Sequence, residues 1–194
     1  MLTHLRPAFV MMVLFTVVFG LAYPLAITGV AGLAFPHQAG GSLEMSGPNV
    51  VGSSLIAQGF SKPKYLHPRP SAAGKGWDPM NSGGSNLGPL DSSLKDRVAA
   101  AAKDLRKENP GAAIPADAVT TSGSGLDPDV SPQNARFQAP RIAKARGLTV
   151  MEVEATIAAQ TEAPLLGFIG QPRVNVLAVN RALDARYPTA QRGG

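Results

Sequence analysis

Cysteine is absent from all 194 residues, so a disulfide framework is excluded and the redox compartment is left unmarked. His4, His37 and His67 stand far apart and have no cysteine to work with, so no set at metal-ligand spacing forms. Aromatics are sparse, with one Trp and three Tyr. Stacking platforms for bases need clustered aromatics, and the net charge of +5 is scattered, without a dense basic run. The charge is read as solvation, and no nucleic-acid partner is expected. Motifs for bond breaking are missing as well. A P-loop needs G-x-x-x-x-G-K-[ST] so that backbone amides and the Lys surround phosphates. The one Gly-Lys pair, Gly74-Lys75, has Arg69 five residues before Gly74 and Gly76 after the Lys. A nucleophile elbow needs G-x-S-x-G, but Ser124 is flanked by Ser122 and Leu126. No Asp stands in a Lys-Thr-Gly context as a phosphoacceptor. The expectation is a chain that is not an enzyme on its own, with no catalytic residue, no metal and no cofactor held by itself.

The longest gap in charge is also the clearest positive signal. No Asp, Glu, Lys or Arg occurs from Pro7 to Leu43, and Ala8 to Phe35 is almost wholly apolar. A helix needs roughly 20 apolar residues to cross a bilayer core and satisfies its own backbone there. Pro24 removes one backbone donor and predicts a kink. A cleaved signal peptide would have a shorter apolar core and an A-x-A-like site, which Gly32-Leu33-Ala34 matches poorly. Arg6 and His4 sit on the short leading flank, and positive charge there is retained in the cytoplasm. The expected organisation is a cytoplasmic N-terminus over residues 1–7 and a transmembrane helix with its exit over 8–35. An extracytoplasmic domain over 36–190 and a frayed tail, or tag scar, over 191–194 follow. Thr16, Gly20, Pro24, Thr28 and Gly32 recur at every fourth position, a ridge of small residues on which a partner helix can pack closely. The competing reading is that membrane helices simply contain many small residues.

With 21 Gly and 17 Pro, the domain is expected to be loop-rich. Residues 36–52 read as a linker leading into a turn, with a short strand around Ser54–Ala57. Residues 61–90 lack any helical or strand pattern, yet Tyr65, Trp77 and Leu87 argue that the loop packs. A helix over Leu94–Lys107 opens on a box-like Ser93 and Asp96 pair and carries a Val98, Ala102, Leu105 stripe; a loop follows over 109–130. Ser131 caps a helix with Pro132 at its first position, and Pro140 predicts two pieces ending at Gly147. Thr149 and Glu152 form a capping box for a helix over Val150–Gln160. Asn175 caps a last helix, Val176–Tyr187, with a strand over Val174–Val179 as the competing assignment. The fold class expected is a single N-terminal transmembrane helix plus one loop-rich α/β (α+β) domain.

Several stretches are too particular for composition to explain. They are Leu5-Arg6-Pro7-Ala8, Tyr23-Pro24, Gly52-Ser53-Ser54-Leu55-Ile56-Ala57-Gln58 and His67-Pro68-Arg69-Pro70-Ser71-Ala72. They continue with Ser82-Gly83-Gly84-Ser85-Asn86-Leu87, Ser122-Gly123-Ser124-Gly125-Leu126-Asp127-Pro128 and Pro140-Arg141-Ile142-Ala143-Lys144-Ala145-Arg146-Gly147. Gly170-Gln171-Pro172-Arg173-Val174-Asn175-Val176-Leu177 closes the set. In order and spacing they resemble the C subunit of the bacterial Kdp potassium-transporting ATPase over nearly the whole chain. Leu66, Asp129 and Ala178 depart from that pattern, which commonly has an aromatic, His and Glu there.

The resemblance implies a non-catalytic subunit of an ATP-driven potassium importer in the bacterial inner membrane. Its implied partners are a potassium-binding channel-like subunit, a P-type ATPase subunit and a very small membrane peptide. It further implies a catalytic chaperone that raises ATP affinity, with ATP reached through the partner subunit. In that view Ser82, Gly83, Gly84, Ser85 and Asn86 look like the signature loop of ABC transporters. Orientation pulls the other way, since a periplasmic loop cannot touch cytoplasmic nucleotide. The favoured reading of Ser82–Asn86 is a tight turn of small residues. His67, Arg69 and Asp127 are likewise read as structural.

Overall fold

The structure, a computed structural model, describes residues 4–188. The 191–194 tail with Gly193 and Gly194, and the start of the 1–7 segment, lie outside the described residues. The fold divides between Val51 and Gly52 into two compact units.

The first unit is dominated by one uninterrupted 30-residue helix, Leu5–Ala34. It comprises α1 (Leu5–Val17), a π-helical turn (Val18–Ala22) and α2 (Tyr23–Ala34). The π turn answers Pro24, which lacks an N–H and whose ring would strike the Gly20 carbonyl in a regular α-helix. Tyr23 N–H donates to Val18 O, five residues back, so the strain is absorbed one turn before the proline. At 1.5 Å per residue the helix is about 45 Å long, beyond the roughly 30 Å of a bilayer core. Its most apolar stretch is wholly exposed, with Phe9, Leu25 and Leu33 uncovered. By length and composition it is a candidate membrane span.

The expected linker 36–52 has structure of its own. A short helix, α3 (Pro36–Ala39), precedes a hairpin of β1 (Leu43–Ser46) and β2 (Asn49–Ser53). Gly47 takes a positive φ of 59° in its turn. The strand expected at Ser54–Ala57 is therefore displaced toward the N-terminus. Ser53 Oγ accepts from Leu55 N–H at 3.2 Å, bending the chain out of the strand.

In the second unit, residues 54–91 carry neither helix nor strand, yet Leu66 and Ala73 within them are fully buried. Next comes α4 (Ser92–Glu108). Its cap is Asp91, whose carboxylate accepts from Ser93 N–H at 2.8 Å, so the helix starts ahead of the expected Ser93 and Asp96 box. The segment read as a loop over 109–130 holds α5 (Ala116–Val119) and β3 (Asp129–Val130). Then α6 (Pro132–Arg146) starts on Ser131, whose Oγ accepts from Asn134 N–H, and ends on left-handed Gly147. It runs straight through Pro140, against the two pieces expected. Pro140 and Arg136 lie on the exposed face, so water can satisfy the carbonyl that the proline leaves without a donor.

The capping box of α7 (Val150–Ala159) forms with both of its bonds. After β4 (Thr161–Glu162), β5 (Arg173–Asn175) passes directly into α8 (Val176–Arg186), capped by Asn175. Helix thus prevails over strand beyond Asn175. The three short strands form an antiparallel sheet in the order β3-β5-β4, with Val130 and Thr161 both facing Val174. Ala135, Ala139 and Ile142 of α6, Val153 and Ile157 of α7, and Val176, Val179 and Leu183 of α8 enclose Val174 and Leu66. The whole is an N-terminal apolar helix plus a mixed helix and sheet region.

Because Pro140 stands in an otherwise regular helix interior, Pro140→Ala restores one backbone bond. It is expected to raise unfolding free energy by about 1–3 kcal/mol, read as an increased urea midpoint of the full chain in detergent.

Candidate functional site

The segment 54–91 cannot satisfy its backbone in a ladder, so side chains and neighbouring loops must do it. Ser71 is one junction. Its Oγ donates to Gly125 O at 2.6 Å and accepts from Ala73 N–H at 3.1 Å and Trp77 N–H at 2.9 Å. Arg69 extends the junction: Nη1 pairs with Asp127 Oδ2 at 3.0 Å, and its carbonyl accepts from Trp77 Nε1 at 3.2 Å. Asp127 also receives Asp129 N–H at 3.1 Å.

Ser82–Asn86 lies against this junction. Gly83 N–H donates to Ser124 O at 2.8 Å and Ser82 Oγ to the same oxygen at 3.0 Å. A Cβ on Gly84 would stand 3.0 Å from Gly123 O. One on Gly125, whose φ is +67°, would stand 2.6 Å from Gly83 O. The glycines are needed because two backbones touch. Asn86 supplies the positive φ expected of the turn, at 52°. Beside the loop, Arg97 Nη2 lies 3.4 Å from Ser85 Oγ, while its Nε is buried without a partner among the described residues.

A second junction borders a cavity of about 410 Å³ lined by Phe60, His67, Pro68, Trp77, Leu105, Glu108 and Arg141 among others. Arg141 organises it. Nε pairs with Glu108 at 2.7 Å, Nη1 donates to Pro63 O at 2.7 Å and Tyr65 O at 2.9 Å, and Nη2 reaches Gln138 Oε1. His67 Nε2 is 3.2 Å from Arg141 Nη1 and 3.1 Å from Lys62 O. Nη1 has spent both of its hydrogens on Pro63 O and Tyr65 O, and a carbonyl only accepts, so Nε2–H donates to Lys62 O and Arg141 stands beside the ring as a neighbouring positive charge. Burial first, then the Arg141 charge, holds the His67 pKa below its ordinary value.

With this geometry in place, sequence comparison assigns the chain. The family model described as K+-transporting ATPase, c chain (KdpC) matches residues 5–185. The chain belongs to the KdpC family. The potassium-transporting ATPase KdpC subunit of Caulobacter sp. (strain K31) is 66% identical over 196 residues, covering 100% of both chains. That of Caulobacter vibrioides (strain NA1000 / CB15N) is 68% identical, covering 97% of this chain and 96% of the relative. The KdpC subunit of Rhodospirillum rubrum is 53% identical over 98% of this chain and 100% of its own length.

Within this KdpC chain the residues singled out from sequence fall into two sets. Ser82, Gly83, Gly84, Ser85 and Asn86 join His67, Arg69 and Asp127 in the loop junctions. Thr16, Gly20, Pro24, Thr28 and Gly32 lie on the apolar helix. Thr16 Oγ1 bonds back to Met12 O at 2.8 Å, and a Cβ on Gly20 would meet Thr16 Cγ2 at 3.8 Å, so those two share a face. Sequence reasoning missed the organising roles of Arg141, Gln138 and Asn180. The Asn134 and Gln138 pair at helical spacing, on a face otherwise buried, was the signal available.

Lowering the His67 pKa stabilises the fold above about pH 6.5, where the histidine of the unfolded chain is neutral too. As pH falls below that value the unfolded state takes up a proton that the buried ring resists, and stability is lost. The thermal midpoint of the full chain should therefore drop between pH 7 and 5, and His67→Gln should flatten that part of the profile.

Proposed function

We propose that this chain is an accessory, non-catalytic subunit of an ATP-driven potassium importer in the bacterial inner membrane, acting by assembly and conformational stabilisation. One observation carries the reading. The polar groups that a reactive site would need are spent on backbone: Ser82 and Gly83 on Ser124 O, Arg141 on Pro63 O and Tyr65 O. What results is a rigid loop-rich body carried on a long apolar helix. In this reading Leu5–Ala34 crosses the bilayer, Arg6 keeps the N-terminus inside, and the domain is periplasmic. Its partners are the channel-like potassium-binding subunit, the P-type ATPase subunit that takes the phosphoryl group, and the small membrane peptide. The chain holds no nucleotide itself, and any effect on ATP affinity is coupling between the two faces of the membrane.

A second reading, the catalytic chaperone in which Ser82–Asn86 covers nucleotide, has Arg97 beside Ser85 in its favour. Topology separates the two. Ser82 and Ser124 are both exposed, and the chain lacks cysteine, so Ser82→Cys and Ser124→Cys each introduce a single label site. In intact cells with the outer membrane opened, a membrane-impermeant thiol reagent should modify both. Protection until lysis, in a chain that labels readily once purified, would restore the nucleotide reading.

The small-residue ridge belongs to the same proposal. Steps of four residues drift about 40° each around an α-helix, and the wider π turn at Val18–Ala22 reduces that drift midway. Among the described residues, nothing beyond the helix's own adjoining backbone lies within 4 Å of where a Cβ on Gly32 would stand, so the packing seen there does not require a glycine. Replacing Thr16 and Gly20 together by Leu should lower copurification of the larger subunits several-fold; an unchanged yield would count against the ridge.

A further inference from the structure

The connection between β4 and β5 ends in an apolar finger. Leu165, Leu166, Phe168 and Ile169 are 67%, 75%, 77% and 49% exposed. The finger has a built shape. Leu165 N–H donates to Ile169 O at 3.0 Å, and Ile169 N–H returns to Leu165 O at 2.9 Å. Leu166 sits at φ +55°, Gly167 at +81° and Gly170 at +92°. A leucine in the left-handed region is strained, and such strain gathers where a surface is shaped for recognition. From Ala163 to Pro172 there is no charged residue, and at the base Arg173 pairs with Glu162 at 2.7 Å.

We infer that this finger is a docking element that inserts Phe168 and Leu166 into an apolar cleft of another polypeptide of the transport complex. The inference rests on the assembly reading above. Area and charge identify the occupant. With large apolar side chains at roughly 100–200 Å² each, the finger exposes on the order of 450 Å². A free-standing interface needs about 800 Å² a side, so the finger alone does not hold a second copy in solution. It suffices for a partner to which the chain is already tethered, because tethering raises the effective concentration. The Leu5–Ala34 helix supplies a tether of that kind. A lipid surface fits less well. Segments that lie in the interface set Trp, Phe or Leu on one face against Lys and Arg on the other, and Ala163–Pro172 has the apolar side chains without any basic one. Nor does fluid lipid require a turn fixed by two reciprocal bonds and three left-handed residues.

The test uses the full chain, coexpressed with its partner subunits in native membranes. A benzophenone amino acid at position 168 should cross-link on illumination to a polypeptide subunit identified by mass in the purified complex. The same group at Met151, an exposed apolar residue elsewhere on the domain, should give at least tenfold less of that product. Phe168→Asp should cut recovery of that subunit about tenfold while the variant's thermal midpoint stays unchanged, and Phe168→Leu should restore most of it. Adducts to lipid alone, to a second copy of the chain, or to no polypeptide would overturn the inference. Complexes that form equally well without the chain, but still cross-link at position 168 when it is present, would sink the assembly role and leave the docking element standing.

Discussion

The fold depends on how Leu66 is held. Its side chain is fully buried, and its backbone N–H and C=O both pair with the amide of Asn180 on α8, at 2.7 and 2.9 Å. A long segment without helix or strand can enter a core only if its peptide groups find partners there, since an unpaired buried amide costs about 1–3 kcal/mol. Gln138 repeats the device one residue on, taking His67 N–H and giving to His67 O. Two side-chain amides thus do for residues 66 and 67 what a neighbouring strand does elsewhere. The sheet can then remain three very short strands.

Buried arginines extend the same logic to the flanks. The Arg146 side chain is 0% exposed; Nε donates to Lys64 O at 2.7 Å, Nη1 to Leu183 O and Tyr187 O at 3.3 Å, and Nη2 pairs with Asp184 at 2.8 Å. It fastens the start of the loop segment to the C-terminus of α8, where orphan carbonyls and the helix dipole favour a cation. A charge so buried is tolerated because each of its three nitrogens has an acceptor, one of them a carboxylate. Arginine suits the task because its planar fork reaches several carbonyls at once.

How much of this was legible in the sequence follows from the range of each interaction. The Thr149 box, the Ser131 and Asn175 caps and the long apolar helix are local, and their residues announce them. Pro140 misleads, because the rule against an interior proline is relaxed on a wet helix face. Asp91 and Ser93 are both good caps, and only backbone geometry chooses between them. The short strands are harder, because two or three residues carry no period. Asn180 and Arg141 are invisible as organisers, since their partners lie 114 and 33 to 78 residues away in the chain. The family motifs mark most of the loops involved without saying what they touch.

Glycine shows why motif and function must be kept apart here. In the domain, Gly84 and Gly125 are enclosed by backbone from another loop, so their presence in signature-like stretches is accounted for within the chain. In the apolar helix, Gly29 and Gly32 have nothing among the described residues, beyond the helix's own adjoining backbone, within 4 Å of where a Cβ would stand. A glycine in a helix interior costs roughly 0.5–1 kcal/mol relative to alanine, and no contact among the described residues offsets that cost. The same holds for Leu166 in the finger, whose strained backbone presents an apolar side chain to solvent. At the helix glycines and at Leu166 the chain's own packing thus gives no reason for the residue. At Gly84 and Gly125 it does, because a Cβ on either would meet the backbone of another loop.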